Sequence, residues 1–144
     1  MGEFVRTQSV VLDGEIVCFD AAGRADFAAL FLRRSTPLFL AFDLLAINGQ
    51  DWRAKPLLER KRRLRRLIGR ATGPVGYVDY VIGRGIDFFQ ACCDYELEGM
   101  VAKRCSDPYD PVATRWYKIK SPAYAAKHQE RRRWFETDER VPST

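Results

Sequence analysis

The chain has 144 residues, 47% hydrophobic and 30% charged, which is enough apolar content for a folded core and too much for disorder throughout. The net charge is +5, and 18 of the 24 basic residues are arginine, whose planar fork suits phosphate, so the balance favours polyanionic partners. There is no apolar run of the ~18 residues needed to span a membrane, and Met1-Gly2-Glu3-Phe4-Val5-Arg6 opens no secretory signal, so a cytoplasmic protein is expected.

Four cysteines (Cys18, Cys92, Cys93, Cys105) form no Cys-x-x-Cys pair and are expected to be reduced, small apolar residues. The single histidine, His128, lies in a strongly basic stretch and is a poor candidate for a hydrolytic triad.

In chain order, residues 9–19 alternate as a strand. Val10, Leu12, Ile16 and Cys18 fall on one face; Val11, Asp13, Glu15, Val17 and Phe19 fall on the other. Asp20-Ala21-Ala22-Gly23 reads as a turn. Asp26 is placed to cap a short helix through about Arg33, with Phe27, Leu30 and Phe31 inward. Leu38 to Leu45 is a second strand, apolar on both faces apart from Asp43 and therefore central. Asn48-Gly49 is a turn. Pro56 and Gly69 bound a helix carrying a Leu57, Leu64, Leu67, Ile68 stripe, with Arg60, Lys61, Arg62, Arg63, Arg65, Arg66 and Arg70 on its remaining faces.

Val75 to Ile82 alternates as another strand, and 85–95 reads as a helix with Ile86, Phe89 and Cys93 on one side. Two further strands, 98–104 and 114–120, flank the loop Asp107-Pro108-Tyr109-Asp110-Pro111. Period two puts Trp116, Lys118 and Lys120 on one face. Ser121-Pro122 opens a last helix to about Phe135, and 137–144 is expected to be a flexible tail. The mixture without regular alternation predicts an α+β fold.

Charge inside strand-like runs marks the candidate chemistry, because a buried charge costs several kcal/mol unless paired. Lys118 and Lys120 repel on one face unless an anion lies between them or they reach water; phosphoryl transfer uses such a pair, and an exposed edge carrying protective lysines is the plainer alternative. Glu15 and Glu98 are candidates for one divalent cation, which prefers one or two carboxylates plus phosphate oxygens and water; salt bridges to the many arginines are the competing reading. Lys103, opposite Glu98 by parity, is a candidate phosphate contact. Phe42 offers a ring for a base to stack on, or is core. The arginine helix, through Arg62, Arg63 and Arg66, is a candidate phosphate-backbone contact, or a solvated outer face.

Leu12-Asp13-Gly14-Glu15-Ile16-Val17, Glu98-Gly99-Met100-Val101-Ala102-Lys103-Arg104 and Trp116-Tyr117-Lys118-Ile119-Lys120 resemble, in this order, motifs III, IV and V of the ATP-dependent DNA ligases. Phe39-Leu40-Ala41-Phe42-Asp43-Leu44-Leu45 resembles motif IIIa. The resemblance covers roughly 9–136 and looks like the C-terminal portion of a bacterial adenylation domain. It implies 1–136 as part of a covalent nucleotidyltransferase fold, mainly antiparallel sheets flanked by helices, with ATP and Mg2+ as cofactors and nicked double-stranded DNA as substrate. It implies that Glu15 contacts the ribose or the metal shell, Phe42 stacks on adenine, Glu98 holds the metal, and Lys118 and Lys120 grip the α-phosphate. In that family a motif I lysine, in a Lys-x-Asp-Gly string, carries AMP to the DNA 5′-phosphate.

No such string occurs here: Asp13-Gly14 is the only Asp-Gly, and Val11 stands where the lysine would be. A recognisable OB-fold with motif VI is also absent. The chain alone is therefore expected not to self-adenylate. A gene fragment, a split protein or a truncated piece of a ligase are the open alternatives, a polypeptide carrying motif I being the partner if the protein is split, and Val10, Leu12, Leu38, Leu40 and Phe42 are expected to be left partly bare. An RNA ligase or capping-type nucleotidyltransferase is the nearest rival within the superfamily. A non-catalytic nucleic-acid-binding or partner-binding module is the rival outside it.

Overall fold

The computed structural model describes residues 9–69, 73–113 and 116–126. They fall into two compact units, one within Met1–Tyr80 and Arg104–Thr114, the other within Val81–Lys103 and Arg115–Thr144. Arg70, His128, the stretch of the expected last helix after 126 and residues 137–144 lie outside the described residues.

The first unit is organised by one ten-residue strand. β1 (Val10–Val17) pairs antiparallel with β2 (Leu38–Ile47) along its length. The other edge of β2 is shared: β4 (Val75–Tyr77) runs parallel to residues 39–41, and β3 (Gln50–Asp51) pairs antiparallel with Ala46 and Ile47. β4 spans only three residues, whereas alternation alone predicted a strand to Ile82; Val81 and Ile82 are instead exposed. The β2–β3 reversal is made by Asn48 and Gly49, both at positive φ (50° and 78°), as the Asn-Gly pair predicted.

The β1–β2 register skips Phe42 and Leu45, so β2 carries two bulges. Each bulge shifts the side-chain alternation. The buried apolar positions of β2 are accordingly Ala41, Leu44 and Ile47, spaced by three rather than two. They pack with Leu64 and, around them, Leu12, Phe39, Trp52, Leu67, Ile68 and Tyr77. Leu38, Leu40 and Phe42 are half-buried, and Val10, Val11 and Ile16 are exposed. Gly14 is required where β1 crosses Phe39, because a Cβ there would collide with the Phe39 ring and the Leu40 carbonyl.

Helix α1 (Phe27–Phe31) is capped by Asp26, whose carboxylate accepts from Ala29 N at 2.9 Å. It ends earlier than predicted, and Phe31 faces solvent. Helix α2 (Leu57–Ile68) starts after Pro56 and stops at Gly69 as predicted. Its basic residues do not all lie on outer faces: Arg60 and Lys61 are buried, because they occupy the turn between Leu57 and Leu64 on the same stripe.

Arg60 donates to Asp43 through Nε (2.8 Å) and Nη2 (2.9 Å), a bidentate pair with both side chains at most 2% exposed. Its Nη1 donates to the carbonyls of Lys55 and Asp107, and Leu44 N donates to Asp43 Oδ1 at 2.8 Å. Lys61 Nζ donates to the Val78 carbonyl at 2.5 Å and lies over the rings of Tyr77 (4.6 Å) and Tyr80 (5.3 Å).

In the second unit, α3 (Gly85–Asp94) precedes the antiparallel pair β5 (Gly99–Ala102) and β6 (Tyr117–Lys120). Cys92 is the buried residue of α3; Ile86, expected inward, is exposed. Residues 122–126 are helical, as Ser121-Pro122 predicted.

Removing one partner of a buried ion pair strands the other charge, which costs about 3–5 kcal/mol. Arg60→Met should lower the urea midpoint accordingly, and adding Asp43→Leu should recover part of the loss. A single variant unfolding at the wild-type midpoint would contradict the pairing.

Tyr77 supplies a pH test. Burial, with the Asp79 charge nearby, pushes its phenol from 10.0 up to about 12. The folded chain thus keeps a proton that the unfolded chain releases near pH 10, so this contribution is full below pH 10 and is lost as pH rises toward 12. Its hydroxyl is buried without a hydrogen-bond partner among the described residues. Tyr77→Phe should therefore leave neutral-pH stability nearly unchanged and flatten the alkaline fall. Parallel urea-midpoint curves for the two proteins between pH 9 and 12 would show that this phenol is not the cause.

Candidate functional site

The β5–β6 register sets Val101 opposite Lys118 and Gly99 opposite Lys120. Paired residues share a face, so Gly99, Val101 and Lys103 lie with Trp116, Lys118 and Lys120. Lys103 Nζ sits 3.7 Å from the centroid of the Trp116 ring, a close cation–π contact that holds the ammonium on this face. Lys118 has no carboxylate partner among the described residues, and Lys120 Nζ meets Glu98 Oε1 at 3.5 Å, both side chains more than half exposed. Three ammonium groups and one carboxylate thus border a single exposed strand face.

Gly99 makes the face possible. Its φ of 147° and the near contact of its missing Cβ with the Ile119 carbonyl exclude any other residue. Glu98, just before Gly99, meets Lys120 although strict alternation assigns it the opposite face, and Glu98 O accepts from Ser121 N at 2.8 Å. An exposed carboxylate beside a cationic face fits a magnesium ion held mainly by phosphate oxygens and water. Among the described residues no group of three or more metal-ligating side chains occurs.

The first unit carries the other candidates. Glu15 is exposed on β1, and Phe42 is half-buried at a bulge of β2. Beside Glu15, Asp13 Oδ2 accepts from Tyr109 OH at 3.0 Å. Burial, then the hydrogen bond and charge of Asp13, raise the Tyr109 phenol above its usual value. Tyr109 N donates to the Arg53 carbonyl, and its ring stands 5.9 Å from the Arg60 guanidinium. The loop around Tyr109 is therefore a fastened part of the first unit. Of the arginines proposed for nucleic acid, Arg62 and Arg66 are exposed and Arg63 is partly so.

Sequence reasoning missed the Asp43–Arg60 and Asp13–Tyr109 links. The signal for the first was present: a lone carboxylate in a central strand needs a cation, and Arg60 lies on the leucine stripe. Nothing local marked Tyr109, since its partner is 96 residues away.

The family described as ATP dependent DNA ligase domain matches residues 3–120. This chain belongs to that family. It is 34% identical over 116 residues to the multifunctional non-homologous end joining protein LigD of Pseudomonas aeruginosa, covering 76% of this chain and 14% of that protein. It is 33% identical over 118 residues to the SPbeta prophage-derived DNA ligase-like protein LigB of Bacillus subtilis, covering 76% and 43%. The ligase domain of LigD from M. tuberculosis superposes with a TM-score of 0.67 at 30% identity, covering 77% of this chain and 38% of that one. A mycobacterial DNA ligase D complexed with ATP and MES superposes with a TM-score of 0.66 at 29% identity over similar shares. The α+β architecture of this ligase-family chain is thus a partial ligase-domain fold, and the chain spans less than half the length of these relatives.

Proposed function

We infer that the chain forms part of the adenylation machinery of an ATP-dependent DNA ligase that seals nicks in double-stranded DNA. Residues 1–136 are its adenylation-domain portion. The observation that carries the reading is the lysine face of β5–β6: like charges held on one exposed face, with Glu98 at its border. Such a face is unfavourable alone and complementary to a phosphate chain.

Lys118 and Lys120 bind and orient the α-phosphate of ATP. Lys103, held against Trp116, adds a further cation. Glu98 holds magnesium, which when bound neutralises phosphate charge. On the family resemblance, Glu15 contacts the ribose or the metal shell, and Phe42 contacts adenine. Of the basic helix, Arg63 and Arg66 contact the DNA backbone and the exposed Arg62 adds only to the general positive field. The attacking lysine is not among these 144 residues in its Lys-x-Asp-Gly context; it belongs to a polypeptide carrying motif I, and attack on phosphorus needs a positioned, unprotonated amine.

The test is transfer of labelled AMP from ATP with magnesium, read on denaturing gels. The chain alone should give no band. Mixed with a polypeptide carrying the Lys-x-Asp-Gly segment, it should label that polypeptide, and Lys118→Ala, Lys120→Ala or Glu98→Ala should each cut the labelling rate by about a hundredfold, the scale of one lost transition-state contact. A band on the chain alone that one lysine substitution abolishes, or labelling indifferent to all three changes, would refute the reading.

A further inference from the structure

An open cavity of about 380 Å³ lies between the β2–β3 hairpin and α2, lined by Ile47, Asn48, Gln50, Trp52, Arg63 and Arg66. Its polar groups are mostly donors. Arg63 and Arg66, three apart on the helix and so on one face, have no carboxylate partner among the described residues, unlike Arg60 with Asp43 and Arg65 with Asp79 at 3.8 Å. The Trp52 indole N–H is buried with no acceptor among the described residues. Asn48 Oδ1, an acceptor at the rim, accepts from Ser9 N at 3.3 Å. No carboxylate lines the cavity. Two guanidiniums in a wall without acidic groups leave an anion as the complement, and the indole N–H of Trp52, shielded from solvent, reports on an occupant without bonding it.

We propose that this cavity seats a backbone phosphate of duplex DNA. The inference rests on the ligase reading and adds a defined contact to it. The cavity is open and larger than one phosphate group, so a phosphodiester with its flanking sugars fits better than a free ion. Arg63 and Arg66 fork onto the phosphate oxygens; Arg62, which does not line the cavity, contributes only to the general field.

The experiment measures binding of the 144-residue chain to a fluorescent nicked 30-base-pair duplex by anisotropy at several salt concentrations. Arg62→Gln, Arg63→Gln and Arg66→Gln each remove one charge. Arg63→Gln and Arg66→Gln should raise the Kd by roughly tenfold, as for lost charge-assisted hydrogen bonds, and lower the salt slope by about one. Arg62→Gln should change the Kd by less than about threefold. The indole N–H resonance of Trp52, assigned with Trp52→Phe, should shift on adding the duplex. Equal losses in all three arginine variants would reduce the helix to unspecific charge and overturn the cavity assignment. A Trp52 shift produced by inorganic phosphate but not by the duplex would make it a free-phosphate site and overturn it also. A chain that binds no duplex yet supports AMP transfer overturns the cavity while leaving the adenylation reading intact.

Discussion

A carboxylate in the middle of the central strand of a small sheet must be neutralised where it stands. Asp43 is fully buried in β2, and its neutralisation by Arg60 fixes more than one element. The guanidinium sets the angular position of α2 against the sheet. Its remaining nitrogen also reaches the carbonyls of Lys55 and Asp107, which fastens the approach to the helix and the 104–114 segment together. Tyr109 completes the arrangement by bonding Asp13 on β1. Four stretches far apart in sequence are thus tied by one ion pair and its hydrogen bonds. Such a pair contributes more to selecting one arrangement than to net stability, because desolvation offsets much of its attraction.

The basic excess of the chain divides accordingly. Arg60 and Lys61 serve the interior, where a carboxylate, carbonyls and two tyrosine rings compensate them. Arg65 meets Asp79 at the surface, where the pair is worth little. Arg62, Arg63 and Arg66 have no carboxylate partner among the described residues, and neither does Lys118. Counting basic residues therefore overstates the charge offered to a polyanion, and placing them identifies where it is offered.

Much of this was legible in the sequence. The Asn48-Gly49 turn, the Pro56 and Gly69 bounds of α2, the Asp26 cap and the centrality of β2 follow from local chemistry. The ligase strings located Gly99 and the lysine face, and the pairing of β5 with β6 then made Lys103 a member of that face. What was hidden is non-local. The bulges at Phe42 and Leu45 depend on how β1 lies along β2, and they replace period two by spacing of three. The end of β4 at Tyr77 is also non-local, since the next carbonyl, of Val78, is taken by Lys61 of α2. The burial of Arg60 was within reach of helical periodicity, but a run of seven basic residues between 60 and 70 reads as a solvated face until Asp43 is asked for its partner.

The central claim is that the β5–β6 face grips nucleotide phosphate. Titrating the isotopically labelled chain with ATP and magnesium, and following backbone amides and lysine ammonium signals by NMR, tests it most directly. The largest shifts are expected at Gly99, Val101, Lys103, Trp116, Lys118 and Lys120, with loss of saturable binding in Lys118→Ala. Saturable ATP binding that leaves these six residues unmoved would contradict it.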